Sequence, residues 1–73
     1  MSTNQIYVAL LNEGTDVWRP VGATQIRRGI FRIDARAPAD DTWQFLQGSH
    51  VRCEPHVFDG GEIGLVAVEV LHA

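Results

Sequence analysis

The spacing of the apolar residues is the feature that most constrains what this chain can fold into. Wherever a period can be read, apolar residues recur at every second position, as along a β-strand, and no segment shows the 3.6-residue period of a long amphipathic helix. The pattern predicts strands within residues 5–12, 17–26, 27–35, 50–58 and 63–71. Short strands at this spacing, joined by glycine-containing turns, predict a small all-β barrel or sandwich. A chain of 73 residues has room for one domain, so residues 1–73 are predicted to form a single unit.

The breaks between these runs predict the turns and loops. Residues 13–16 ("EGTD") and 59–62 ("DGGE") have the length and glycine content of hairpin turns, and the two adjacent glycines of the second predict a type I′ turn. Pro20 cannot donate a hydrogen bond to a neighbouring strand, so its strand is predicted to lie at an edge or to be bulged there. Residues 36–42 are predicted to form the longest exposed loop, and residues 43–49 fit either a short strand or a single helical turn.

The alternation also predicts which side chains face the core. The predicted core comprises Val8, Leu10, Val21, Phe31, Ile33, Val51, Val66 and Val68. Trp18 points to the opposite side of its strand from Val17 and Val21, where it fits either a flat aromatic ledge of the kind that binds proline-rich peptides or a cap at one end of the barrel. We favour the cap, because the chain has few other large residues to supply buried area. Arg19 is then expected at the rim of the barrel, paired with an acid.

Four segments of the chain resemble a group of short, uncharacterised bacterial proteins. The segments are "LLNEGTDVWRPV", "GIFRI", "WQFLQGSHVRC" and "LVAVEV". Proteins of that group share an acidic-Gly-Thr turn, a Trp-Arg-Pro strand and a Gly-x-x-Val-Arg-Cys strand near the end. The resemblance covers most of the chain, and "EGTDVWRPV" is its most specific part. It implies an SH3-like barrel and implies no reaction.

The residue types that catalyse reactions or bind metals do not form a recognisable site. No serine or cysteine has a base and an orienting group at suitable spacing, and the glycine-rich phosphate-binding patterns are missing, so no catalytic residue is predicted and the protein is not expected to be an enzyme. His50, Cys53 and His56 form an H-x2-C-x2-H pattern of residue types that suit zinc. Residues three apart on a strand point to opposite faces, however, and a fourth ligand is found only if His72 folds back. We therefore predict no metal site and no cofactor.

The charge distribution defines the main alternative function. The net charge is −3, which disfavours broad binding of nucleic acid. Five of the six basic residues, all of them arginine, lie between residues 19 and 36 with one aspartate, so this window carries +5 − 1 = +4. The alternative is a nucleic-acid or anion-binding patch with aromatic residues nearby in the sequence. That patch would consist of Arg27, Arg28 and Arg32. The acids that would otherwise pair with these arginines are Glu13, Asp16 and Asp34.

The location of the protein is constrained by its single cysteine and by its N-terminal residues. Cys53 cannot form a disulfide within the chain, which fits a reducing compartment. No signal peptide and no apolar stretch of membrane-spanning length is visible, so a cytoplasmic location without membrane association is expected. Without a catalytic, metal or phosphate-binding pattern, the sequence favours a non-enzymatic interaction module that has a protein partner.

The first and last strands predict self-association, because each is apolar on nearly all of both faces. Only one face of each strand can enter a single small core. The other faces would leave Tyr7, Leu11 and Leu65 together in water, and exposed apolar patches of this kind usually mark interfaces. A chain this short without a disulfide also gains more from a partner subunit than a larger domain does.

We therefore expect a homodimer or a higher closed oligomer. Sedimentation equilibrium at micromolar concentration should give a multiple of the chain mass of 8.1 kDa. The alternative is that residues 36–45 fold across the patch and cover it with Trp43 or Phe45. A mass near 8.1 kDa over the whole concentration range would support that alternative and contradict the oligomer.

Overall fold

The computed structural model of the chain describes residues 3–11 and 17–71, and within them five β-strands close into one barrel. The strands are β1 (Thr3–Ala9), β2 (Trp18–Arg27), β3 (Ile30–Ile33), β4 (His50–Val57) and β5 (Ile63–Val70). Each strand pairs with the next in antiparallel orientation, and β5 pairs with β1 in parallel through Tyr7 and Val66. The closing pair is parallel because the first and fifth strands of an up-and-down order run in the same direction. The prediction of an all-β small barrel with about five strands is confirmed.

Pro20 lies where β2 has a strand neighbour on one side only. Residues 18–24 of β2 pair with β1, whereas β3 pairs only with the second half of β2. The amide of Leu10 donates to the carbonyl of Val17 at 2.9 Å in the same register, so hydrogen-bonded pairs alternate and Pro20 falls in a non-hydrogen-bonded pair with Tyr7. The Pro20 nitrogen therefore points away from β1, toward the side that has no strand. β2 is not an edge strand, since it pairs with both β1 and β3, and its register with β1 is unbroken at Pro20. The prediction of an edge strand or a bulge is therefore wrong, and the non-hydrogen-bonded pair with Tyr7 accommodates Pro20 instead.

The turn between β4 and β5 differs from the predicted type I′ geometry. A type I′ turn needs a positive φ at both central residues, but only Gly61, with φ = 85°, has one, and Gly60 does not. The amide of Gly61 donates to the carbonyl of Phe58, and the amide of Phe58 donates to the carbonyl of Glu62, both at 2.8 Å. This is a three-residue loop whose last residue is left-handed, so one glycine satisfies it instead of two. The turn predicted at residues 13–16 lies outside the described residues.

The core is filled by side chains from all five strands and from one loop. The buried apolar residues are Ile6, Val8, Val21, Ala23, Phe31, Ile33, Trp43, Val51, Cys53, Val66 and Ala67. Leu10 was predicted to be inside and is half-buried against this core. Val66 is buried but lies outside the main cluster. Val68 was also predicted to be inside and is 36% exposed, so that prediction is wrong.

A β-bulge explains the error in β5. The register shifts by one residue between Arg52 and Cys53 of β4, which leaves Val68 of β5 without a cross-strand partner. A shift of one residue moves the following side chains to the opposite face of a strand. Leu65 and Ala67, which the alternation assigned to the face opposite the core, therefore pack against it or within it.

Trp43 enters the core from the long loop between β3 and β4. It is 4% exposed, and its backbone forms an isolated bridge with Leu10 just beyond β1. The amides of Leu11 and Gln44 donate across this bridge at 2.7 and 2.9 Å. Residues 43–49, which fitted either a short strand or a helical turn, thus contribute a single bridge. The described part of the chain has no helix of the length and apolar character needed to cross a membrane.

The Asp41 carboxylate holds this loop against β2. Its Oδ2 atom accepts from Trp43 Nε1 at 3.1 Å and from Arg19 Nε at 2.9 Å. The indole N–H is thereby satisfied although the ring is buried. The hydrogen bond from Trp43, followed by that from Arg19, lowers the pKa of Asp41 below its ordinary value. The expected position of Arg19 beside an acid is confirmed.

Asp34 ties down the start of the same loop. Its carboxylate accepts from Thr24 Oγ1 at 2.5 Å and from Arg32 Nε at 2.9 Å, and its amide donates to the carbonyl of Gly22 at 3.0 Å. The hydrogen bond from Thr24, followed by that from Arg32, lowers the pKa of Asp34. The loop is therefore anchored at its start by Asp34 and near its middle by Asp41, and each carboxylate receives hydrogen bonds from two side chains.

We expect acid to weaken the barrel through these two carboxylates. A carboxyl group whose pKa is lowered by folding, from an ordinary value of 3.8, contributes stability that is present above that value and is lost as the pH falls through the folded-state value. The free energy of unfolding, measured in urea by circular dichroism, should fall as the pH is lowered from 6 toward 2. The fall should be smaller in Asp41→Asn than in the natural chain.

Asp40→Asn is the matched control in the same loop. Asp40 makes no hydrogen bond or ion pair with another described residue, so this variant should keep the full dependence on pH. An equal pH dependence in the two variants would show that Asp41 does not hold the loop.

Candidate functional site

Four aromatic side chains meet on the outer surface of the barrel, between the start of β2 and the β4–β5 turn. They are Tyr7, Trp18, His56 and Phe58, and we call the surface they form the aromatic groove. The ring centroids of Tyr7 and Phe58 are 4.7 Å apart, those of His56 and Phe58 4.9 Å, and those of Trp18 and His56 5.4 Å. All three pairs are tilted or edge to face, the arrangements that aromatic rings prefer.

The alternation of β1 and β2 places two of these rings outside. Ile6 and Val8 are fully buried, so Tyr7 between them faces outward. Pro20 is the cross-strand partner of Tyr7, and Trp18 lies two residues before it on the same outer face of β2. The other two rings come from the end of β4 and from the turn that follows it. The groove is therefore built by the outward faces of strands whose inward faces form the core.

Gly64 of β5 gives the rings room. A Cβ atom on Gly64 would lie 2.6 Å from Cε1 of Tyr7 and 2.9 Å from Cε2 of Phe58, closer than carbon atoms approach without a shift. Gly64 is also the cross-strand partner of His56. The rings of Tyr7 and Phe58 thus lie directly against the backbone of β5, and a side chain at position 64 would displace them.

The two tryptophans have different roles from those expected. Trp43 supplies the buried area that was assigned to Trp18, and Trp18 is half-buried outside the core cluster. The expectation that Trp18 caps the barrel is therefore wrong, and the aromatic ledge considered as its alternative matches its position. The sequence signal for the ledge was the outward placement of Trp18 with Pro20. His56 and Phe58 carried no signal, because their approach depends on how the β4–β5 hairpin curves.

The aromatic groove presents hydrogen-bond donors that no described residue uses. The indole N–H of Trp18 and the imidazole of His56 make no hydrogen bond with another described residue. The hydroxyl of Tyr7 accepts from Gln5 Nε2 at 3.0 Å and keeps its own hydrogen to donate. Asp59 lies at the rim, and none of the described arginines lines the groove.

The structure divides the predicted arginine patch. Arg32 Nε donates to Asp34 at 2.9 Å, which is the ion pair considered as the alternative to ligand binding. Arg27 and Arg28, at the end of β2 and in the next turn, are exposed and make no ion pair with another described residue. The two acids at positions 13 and 16 that were also considered as partners lie outside the described residues.

The residues of the H-x2-C-x2-H pattern are not brought together. Cys53 is buried, and burial raises the pKa of its thiol to about 11. His50 and His56 are exposed at the two ends of β4, separated by up to about 20 Å along an extended strand. Within residues 3–11 and 17–71 no three histidine, cysteine or acidic side chains are close enough to hold a metal ion. His72, considered as a fourth ligand, lies outside the described residues.

The residues predicted to mediate self-association are not all left in water. Leu65 packs against the core, and Tyr7 packs into the aromatic groove. Leu11 is 45% exposed. Trp43 lies in the core and Phe45 packs against it, so the loop covers part of the apolar surface at the end of β1. The homo-oligomer stays a prediction.

Comparison with protein-family models, with curated proteins and with solved structures finds no match for this chain. The resemblance to short bacterial proteins with an SH3-like barrel therefore stays a prediction.

Gly64→Ala should destabilise the barrel by about 1–3 kcal/mol, because the added methyl group forces the rings of Tyr7 and Phe58 to move. Gly22→Ala is the matched control, since Gly22 also lies within a strand but a Cβ there meets no atom within 4 Å. Urea unfolding should show the loss only in Gly64→Ala, together with a change in its near-ultraviolet circular dichroism. Equal free energies of unfolding in the two variants would contradict the role given to Gly64.

Proposed function

We propose that this protein is a non-enzymatic interaction module that binds an extended segment of a partner protein in the aromatic groove. The observation that carries the proposal is the position of four rings on the outer surface, where packing of the core does not require them. Clusters of aromatic residues with a few polar groups are typical of protein-binding surfaces. Among the described residues no nucleophile lies beside a base and an orienting group, so catalysis is not part of the proposal.

The chemistry of the aromatic groove favours a proline-containing segment in the polyproline II conformation. Such a segment has no internal hydrogen bonds, so its carbonyl groups need donors, and its prolines have no N–H that would need an acceptor. Trp18, Tyr7 and His56 offer N–H and O–H donors beside ring faces on which prolyl rings can pack. Asp59 at the rim adds a partner for a basic residue that flanks the prolines.

A nucleic-acid ligand is less well supported at this surface. Single-stranded nucleic acid is bound where aromatic rings and basic groups follow the same groove. Trp18 begins β2, whereas Arg27 ends it and Arg28 follows, so the free arginines lie away from the rings. The charged residue at the rim, Asp59, repels phosphate.

Self-association is the second part of the proposal. It is supported by the small size of the core, which makes burial against a partner valuable. Val57 and Ile63, a cross-strand pair at the end of the β4–β5 hairpin, are 64% and 72% exposed and add apolar surface that no described residue covers. The mass measurement described above tests this part independently of the groove.

The two indole N–H groups provide an internal comparison for a binding test. In a ¹⁵N-labelled sample, a ten-residue peptide of repeated Ala-Pro-Pro should shift the indole resonance of Trp18 until it saturates. The indole of Trp43 is buried and bonded to Asp41, so its resonance should stay in place. A peptide of the same length without proline should shift the Trp18 resonance much less.

Variants of exposed residues complete this test. Trp18→Ala should weaken binding of the labelled proline peptide about tenfold or more, measured by fluorescence anisotropy. Leu46→Ala, which changes a residue that is 59% exposed and lies outside the groove, should bind normally. Equal shifts with both peptides, or tighter and salt-sensitive binding of a twelve-nucleotide single strand at Trp18, would contradict the proposal.

A further inference from the structure

A second cleft lies at the other end of β2, around the turn into β3. Its walls are aliphatic and its rim is basic. The aliphatic lining residues are Ile26, Ile30, Val70 and Leu71, and the basic ones are Arg27 and His50. The cleft has a volume of about 500 Å³, which is in the range of sites that take a small ligand or a few side chains. We call it the basic cleft.

An irregularity in strand pairing opens the basic cleft. The register between β2 and β3 shifts between Gln25 and Arg27, so Ile26 has no partner on β3 and is 44% exposed. The opposite wall is fixed where β5 ends, since the amide of Leu71 donates to the carbonyl of His50 at 2.8 Å. An exposed isoleucine therefore lines a cleft in which Leu71 and His50 are held together by a backbone hydrogen bond.

The charges around the basic cleft are one-sided. The chain has nine acidic and six basic residues, yet no acidic side chain among the described residues lines this cleft. Arg19, Arg32 and Arg52 are paired with carboxylates elsewhere on the barrel. Arg27 at the rim and Arg28 beside it have no such partner among the described residues. Arg27 is thus free to bind an external carboxylate through its planar guanidinium fork.

We propose that the basic cleft binds an acidic segment of a protein partner that inserts an aliphatic side chain between Ile26, Ile30 and Leu71 while a carboxylate next to it pairs with Arg27. Charge complementarity selects the carboxylate, and the aliphatic walls select leucine, isoleucine or valine. Within residues 3–11 and 17–71 the His50 imidazole is the one aromatic ring that lines the cleft, so the described surface lacks the stacking platform that nucleic acids use. This site does not rest on the aromatic groove, because the described residues that line the two surfaces are all different.

The test uses a fluorescein-labelled ten-residue peptide in which aspartate and glutamate flank a central Leu-Val pair. Anisotropy titrations should show saturable binding that weakens as salt is raised. Replacing the acids by their amides, or the Leu-Val pair by serines, should each reduce affinity about fivefold or more, since the proposal requires both groups. Binding that survives loss of the Leu-Val pair would overturn the insertion of an aliphatic side chain.

Two arginine variants separate a specific contact from general attraction. Arg27→Gln should weaken binding of the acidic peptide about tenfold. Arg36→Gln removes the same charge from an exposed arginine of the long loop that does not line the cleft, so its affinity should stay within about twofold of the natural chain. Equal losses in the two variants, or tighter binding of a twelve-nucleotide single strand than of the peptide, would overturn the proposal.

Trp18→Ala keeps this test distinct from that of the aromatic groove. The variant should bind the acidic peptide as the natural chain does, because Trp18 lies outside the basic cleft. Loss of acidic-peptide binding in Trp18→Ala but not in Arg27→Gln would assign the peptide to the aromatic groove and overturn the basic cleft as its site.

Discussion

Burial of Trp43 is the constraint on which the rest of the barrel depends. The strands supply Val, Ile, Ala, Cys53 and one ring, Phe31, to the core, and the largest buried side chain, Trp43, comes from a loop and not from a strand. An indole can be buried only if its N–H finds an acceptor, because an unpaired buried donor costs about 1–3 kcal/mol. Asp41 supplies the acceptor and is itself held by Arg19. The long loop is therefore part of the folded core.

Because Trp43 fills the interior, the core does not need the Trp18 ring, which lies on the outer surface. The core needs one large ring at this end, and a second would have to displace a residue that is already close-packed. The outward face of β2 then holds Trp18 beside Pro20, and β5 offers a glycine against which Tyr7 and Phe58 can lie. The aromatic groove thus depends on the same alternation that builds the core, and on Gly64, which has no side chain to displace the rings.

Features of the fold that depend on neighbouring residues could be predicted from the sequence, whereas features that depend on contacts between distant residues could not. The strands and the inward faces of β1 and β3 follow from a period of two residues. The inward face of β5 could not be predicted in this way. Pairing with β4 places the bulge at Val68, and the apolar pattern of the sequence does not indicate a bulge there.

The candidate site shows the same limit. Outward placement of Trp18 was readable from the alternation, but its contact with His56 joins residues 38 positions apart (56 − 18 = 38) through the curvature of a hairpin. The burial of Trp43 likewise depends on an acceptor two residues away and a bridge to the end of β1. The sequence does not distinguish Arg32 from Arg27. In the structure Arg32 pairs with Asp34, whereas Arg27 has no carboxylate partner among the described residues.

The longest strand relates the two proposed surfaces to each other. β2 begins with Trp18 at the aromatic groove and ends with Arg27 at the basic cleft, ten residues that span at most about 30 Å. A segment of five or six extended residues covers at most about 20 Å, which is shorter than a fully extended strand of this length. Short ligands should therefore bind the two surfaces independently. One longer partner segment, with prolines at one end and acids with an aliphatic residue at the other, would bind the second surface as an intramolecular step and gain affinity without any new contact.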